Sequence, residues 1–211
     1  MSSPVKQSRR ERQAAQTRQE VLDAAARLFA DRGFAATSIK DIAAEAGVAV
    51  QTIYSSVGSK GVLLRTVADT MDAQAGVRDQ WERIRATDDP RQMIRYGVQI
   101  VRAFQDEARA GRLLEAVEAA APTEPEVAEV LAEGMRRHRA GTRGLVDHIA
   151  RQGHLRPGLD AGRGGSIFAS VTHPALWRSL RHEHDWTQDQ IEDWMVDTLA
   201  TQLLAERPIQ S

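Results

Sequence analysis

T-S-I-K-D-I-A-A-E-A-G-V-A-V-Q-T-I-Y-S-S-V-G-S-K, residues 37–60, spells two short amphipathic helices on either side of a glycine turn. Ser38 with Asp41 three positions on forms a capping box, in which the hydroxyl accepts from a first-turn amide and the carboxylate accepts from the Ser38 N–H. Ile39, Ile42, Ala43 and Ala46 then fall at i, i+3, i+4 and i+7, an apolar stripe that must pack on a partner because so short a helix is not stable alone. Gly47 ends it, since glycine takes a left-handed backbone without steric strain. Val50 to Tyr54 give little more than one further turn, with Ile53 inward and Gln51, Thr52 and Tyr54 outward. An outward face of this kind suits the DNA major groove, where Gln can read adenine and Thr or Val can touch a thymine methyl. Any glycine-linked helix pair in an all-α protein shares the bare pattern, so the flanking residues decide.

Upstream, Thr17 to Ile39 reads as an amphipathic helix whose inward set is Val21, Leu22, Ala25, Leu28 and Phe29, closed by Gly33 and plugged by Phe34. Downstream, Gly58 to Leu64 opens another helix with Lys60 in its first turn. A cation there opposes the helix dipole by roughly 0.3–1 kcal/mol, an oddity that a nearby phosphate would remove.

The segments A-A-R-L-F (25–29), G-F (33–34), T-S-I-K-D-I-A-A-E-A-G-V (37–48), T-I-Y (52–54) and S-K-G-V-L (59–63) occur in that order. Together they resemble the N-terminal DNA-binding domain of the TetR family of ligand-responsive transcriptional regulators, a far more specific likeness than a helix-turn-helix alone. Two positions depart from the family pattern. Ala49 stands where members usually carry a Ser or Thr cap, which weakens the recognition helix by about 1 kcal/mol. Val57 stands where a Phe is usual and leaves less packing behind that helix. Neither change removes a base-reading group. The candidate DNA contacts are Thr37, Ser38, Val50, Gln51, Thr52, Tyr54 and Lys60, together with Arg18.

Charge distribution agrees. Residues 1–65 hold ten Lys or Arg against six Asp or Glu, a balance of +4, and the remainder holds 18 against 23, a balance of −5. Lys6, Arg9, Arg10, Arg12 and Arg18 are expected in a flexible arm placed to neutralise phosphates, although a run this short is also what a solvated tail looks like. The absence of cysteine excludes disulfides and thiolate chemistry. No signal-like or membrane-spanning apolar segment is visible, so a cytoplasmic protein is expected.

The fold class is all-α: a three-helix head with its arm (residues 1–64) and a six-helix body (65–211). The body helices are expected at Lys60 to about Arg85, Asp88 or Asp89 to about Ala108, Arg112 to Ala120, Glu126 to about Gln152, Ala161 to His182 and Gln188 to Glu206, the last capped by Thr187. The resemblance gives the body two roles. Dimerisation has a physical reason as well, because one short recognition helix reads few base pairs and symmetric pairing doubles the contacts on a palindrome. In the family the last two helices of each subunit form a four-helix interface, which here implies Phe168, Val171, Leu176, Trp177, Leu180, Trp194, Met195 and Leu199. Intramolecular core fits most of these positions equally well. The family also implies an apolar effector cavity, with candidates Trp81, Met93, Tyr96, Ile100, Phe104, Leu113, Met135 and His138, although aromatic stripes at helical spacing are more often core.

An enzyme is not expected, and neither a cofactor nor a metal is. His182, His184 and Asp185 read as a polar loop. G-R-G-G at 162–165 lacks the strand and the Lys-Ser/Thr of a phosphate loop and reads as a flexible helix start. His138 and His148 lie on one helix about 15 Å apart along its axis, too far to share a metal. The expected function is a homodimeric, ligand-released regulator of a palindromic operator, a repressor because occupancy alone blocks a promoter. The alternative is a helical ligand- or protein-binding dimer whose head is inactive.

Overall fold

A computed structural model of the chain describes residues 9–106 and 108–205. Among these there are eleven helices and no strand, in two compact units. The first unit comprises the described residues up to Met71 together with Ala108–Ala132; the second comprises those of Asp72–Glu107 and Glu133–Ser211.

In the first unit α1 (Arg9–Arg32), α2 (Ile39–Glu45), α3 (Val50–Ser56) and the opening of α4 (Lys60–Gln74) enclose a core with α7 (Ala108–Ala120) and the first turns of α8 (Pro125–Arg151). Its centre is Phe29, Ile42, Ile53, Leu63 and Leu64, all fully buried. Phe34 stacks at a tilt on Phe29 with centroids 5.4 Å apart, which fixes the turn into α2. Leu113, Val117, Val127 and Val130 from α7 and α8 close the same cluster, so the head is completed by a segment far along the chain. Asp31 and Arg112 pair at 3.3 Å across the same α1–α7 packing.

The second unit holds α5 (Val77–Ala86), α6 (Pro90–Asp106), the rest of α8, α9 (Ala161–Val171), α10 (Pro174–His182) and α11 (Gln188–Leu203) around Ile84, Ile94, Val98, Leu145, Phe168, Trp177, Met195 and Leu199. Helix α9 approaches α8 so closely that a Cβ on Gly164 would lie 2.8 Å from Val146 Cγ1, and one on Gly165 would lie 3.0 Å from the Arg143 Cα. The glycines at 162–165 therefore serve close helix packing, with Asp160 as the cap accepting from the Gly162 and Arg163 amides. The loop before α9 is tied to the chain's end by the Arg156 N–H donating to the Leu203 carbonyl at 2.8 Å and the Ala205 N–H donating to that of His154 at 3.1 Å.

Helix α7 begins at Ala108, four residues before the expected Arg112, and three further boundaries differ for local reasons. The basic run expected to form an arm is helical from Arg9, because R-R-E-R-Q-A-A-Q contains only good helix formers and no breaker; Lys6 lies outside the described residues. The helix from Lys60 stops at Gln74 and resumes as α5 at Val77, because Gly76 takes a left-handed backbone at φ +64°. The stretch from Ala161 to His182 is two helices, because Pro174 has no amide to donate and disfavours helical backbone at His173; His173 becomes the cap of α10.

Candidate nucleic-acid interface

The expected geometry of residues 37–60 is present in detail. Ser38 caps α2, its hydroxyl accepting from the Asp41 amide at 3.2 Å while the Asp41 carboxylate accepts from the Ser38 amide at 2.9 Å. The Ser38 hydroxyl, and then its amide, hold the Asp41 carboxyl below the usual carboxylate range. Gly47 turns the chain at φ +66° and α3 follows. Ile53 anchors α3 in the core, while Gln51, Tyr54 and Ser55 are exposed and Val50 and Thr52 half-buried. Tyr54 is 53% exposed, one of two large hydrophobic side chains in the described residues left so open; the other is Val62, in the first turn of α4.

Ala49 occupies the cap of α3 in extended backbone with no side-chain hydrogen bond. Ala49→Ser should therefore raise stability by about 1 kcal/mol, the hydroxyl accepting from an amide of the first turn. Thermal or urea denaturation checks this; an unchanged midpoint would mean that solvent already satisfies that amide. Val57 packs partly buried against the head core.

The remaining candidates have structural partners. Thr37 is 1% exposed, its hydroxyl within hydrogen-bonding reach of the Gly33 carbonyl at 2.8 Å and the Leu28 carbonyl at 3.2 Å. Its side chain closes the α1–α2 turn and does not face outward. Arg18 donates from α1 to the Ser56 carbonyl, a cation on the C-terminal turn of α3 that stabilises and orients that helix. Lys60 lies with its ammonium 4.1 Å from the Phe34 ring centroid. This cation–π contact gives the ammonium a partner within the head, beside any phosphate it would meet. Arg27 pairs with Glu45 at 3.1 Å, bracing α1 against α2. No motif marks such a pair, its members lying 18 residues apart.

In the second unit, Met93 is fully buried and Trp81, Tyr96, Ile100, Phe104, Met135 and His138 are half-buried, whereas Leu113 belongs to the core of the first unit. Arg83 lies over the Tyr96 ring at 4.5 Å. His138 Nε2 is 3.2 Å from the Ala169 carbonyl and 3.4 Å from the Thr172 hydroxyl. Since that hydroxyl donates to the Phe168 carbonyl at 2.8 Å, Nε2 carries the proton and both oxygens accept. Burial lowers the His138 pKa, with the carbonyl contact opposing it and His173 and Arg139 adding repulsion. A depressed folded pKa means that the unfolded chain takes up the proton first as pH falls. Stability from this group is complete above the free histidine range and is lost as pH falls through the folded pKa. Melting temperature should thus drop between about pH 7.5 and 5 less steeply in His138→Gln than in the unaltered protein; parallel profiles would refute the assignment.

Of the candidate interface residues, Phe168, Trp177, Met195 and Leu199 are fully buried within the chain, while Val171, Leu176, Leu180 and Trp194 remain half-buried. Trp194 meets Trp186 edge-to-face at 6.0 Å. Among the described residues no group of three His, Asp or Glu is placed to hold a metal, and no helix is long and apolar enough to cross a membrane.

Residues 21–67 match the family described as bacterial regulatory proteins, tetR family. No curated protein matches the chain in sequence. Solved structures share its fold along nearly the whole length. A Rhodococcus sp. protein assigned to the TetR-family transcriptional regulators is 16% identical with a TM-score of 0.70, covering 89% of this chain and 98% of its own. The transcriptional regulator FadR of Bacillus subtilis, solved with stearoyl-CoA, is 14% identical with a TM-score of 0.73, covering 87% and 98%. NalD, the secondary repressor of the MexAB-OprM multidrug efflux pump in Pseudomonas aeruginosa, is 17% identical with a TM-score of 0.72, covering 92% and 100%. Residues 21–67 are thus similar to the tetR family of bacterial regulatory proteins, and the chain as a whole has the fold of the TetR-family regulators.

Proposed function

We propose that this protein is a cytoplasmic, ligand-responsive transcriptional repressor that binds a palindromic operator as a homodimer and is released by a small-molecule effector. The observation that carries the reading is α3 itself, anchored by Ile53, braced by Arg18 and presenting Gln51, Tyr54 and Ser55 to solvent. Residues 1–64 would read DNA, and residues 65–211 would pair subunits and hold the effector. Ser38, Val50, Gln51, Thr52, Tyr54 and Lys60 are the proposed contacts, with Arg18 and Thr37 supporting them from behind. In the dimer the two recognition helices would meet successive major grooves roughly 34 Å apart. Effector binding would favour a different spacing, with a coupling of about 1–3 kcal/mol. The stearoyl-CoA bound by FadR makes a long-chain acyl compound the first effector to screen.

The experiment is selection from randomised duplex DNA by the purified full chain at two salt concentrations. A palindrome bound in a salt-sensitive way supports the reading. In that assay Lys60→Ala should weaken binding on all sequences alike and reduce the salt slope by about one, as for a single phosphate contact. Failure to bind at either salt would favour the alternative, a ligand- or protein-binding dimer with an inactive head.

A further inference from the structure

From Gly47 to Ser59 the chain carries no Lys, Arg, His, Asp or Glu. That stretch contains the whole of α3 and its caps. The commonest specific contact in the major groove is a bidentate Arg or Lys on guanine O6 and N7, and α3 has no side chain able to make it. Three cations next to this element have partners within the head: Arg18 on the Ser56 carbonyl, Arg27 on Glu45, and Lys60 over Phe34. Lys40 lies on α2, the helix that crosses the phosphate backbone in this motif.

What α3 does offer is chemically selective. Gln51, in the first turn, is exposed, and its amide matches the N7 acceptor and N6 donor of adenine. Val50 and Thr52 flank it, half-exposed, with methyl groups that suit the thymine C5-methyl. No carboxylate is present to accept from cytosine N4. We propose that α3 reads A·T pairs, Gln51 through the adenine edge and Val50 and Thr52 through thymine methyls, so that the operator half-site is A·T where the first turn of α3 enters the groove. This rests on the DNA-binding function proposed above and adds the class of base pair it reads.

A glutamine can also serve a phosphate, which carries no sequence information, and the test must separate the two. The full chain and its Gln51→Ala and Gln51→Glu variants are each taken through selection from randomised duplexes. The recovered site is then resynthesised with 7-deazaadenine, which lacks N7, or with uracil for thymine. The expected result is one adenine per half-site whose 7-deaza analogue weakens the unaltered protein roughly five- to 150-fold and leaves Gln51→Ala indifferent. Gln51→Glu should shift that position toward cytosine. A required guanine at the position sensitive to residue 51 would overturn the proposal. So would an equal loss by Gln51→Ala on every sequence, which marks a phosphate contact, or salt-dependent binding without sequence preference, and in each of these cases the regulator's DNA binding stands. Absence of binding at any salt would overturn the DNA-binding function itself, and this reading with it.

Discussion

Phe168→Ala is expected to lower stability by about 3–5 kcal/mol, the range for removing a buried aromatic ring. That is a large share of the roughly 5–15 kcal/mol by which a protein is stable. Phe168 is 1% exposed, and its ring meets α6 where α6 has no side chain: a Cβ on Gly97 would lie 2.9 Å from Phe168 Cζ and 2.5 Å from Leu145 Cδ2. The cavity left by truncation would be walled partly by helical backbone, which cannot rotate into it as a side chain can, so the upper part of the range is appropriate. Urea denaturation followed by tryptophan fluorescence measures this, since Trp177 is buried in the same cluster. A Phe168→Ala protein as stable as its parent but altered in oligomeric state would place the ring at an interface between copies.

The same distinction sorts the other residues of the last three helices. Trp177, Met195 and Leu199 have no surface left to lose when a second copy docks, so their contribution is to the fold. Groups still half-exposed, among them Val171, Leu176, Leu180 and Trp194, are the ones that can gain hydrophobic stabilisation from pairing. Any dimer built on these helices therefore rests on a narrower set of residues than their apolar pattern implies.

The head was legible because its signals are local. A capping box, a glycine turn and an apolar stripe each act within a few residues, and Ser38, Gly47 and Ile53 take up the roles the sequence assigns them. Long-range partners were not legible. Nothing near Thr37 shows that its hydroxyl is needed by two carbonyls of α1 and its turn, and nothing near Lys60 shows that an aromatic ring will lie beneath it. Leu113 likewise sits in the head's core because residues 108–132 fold back onto the head, a tertiary choice that periodicity alone does not encode. Pro174 and Gly76 were local signals in plain view; each splits a helix that apolar periodicity alone would run through.

One long-range pattern is visible in the spacing of charges. Arg91, Arg95, Gln99 and Arg102 recur at helical spacing on α6, as do Asp189, Glu192, Asp193 and Asp197 on α11. In the fold they interlock: Arg91 pairs with Asp197, Arg95 with Asp193 at 2.8 Å, and Arg102 with Asp189 at 2.6 Å. Glu192 stands at the centre with its side chain 6% exposed, accepting from Arg95 at 3.0 Å, Gln99 at 3.0 Å and Arg102 at 2.8 Å. Removing one partner of a fully buried ion pair costs about 3–5 kcal/mol, because the other charge is stranded. Here the stranded cations are Arg95 and Arg102, about a third exposed and each with a second carboxylate, so they can turn to water. Glu192→Ala should therefore cost less, about 1–3 kcal/mol. Asp193→Ala, at a carboxylate 64% exposed, should cost no more than about 1 kcal/mol. In an Arg95→Ala, Arg102→Ala background, the loss on removing Glu192 should shrink, since no charge is left for it to neutralise. Equal losses for Glu192→Ala and Asp193→Ala would show that the apolar cluster of Ile94, Val98, Met195 and Leu199 holds α6 to α11 without help from the buried carboxylate.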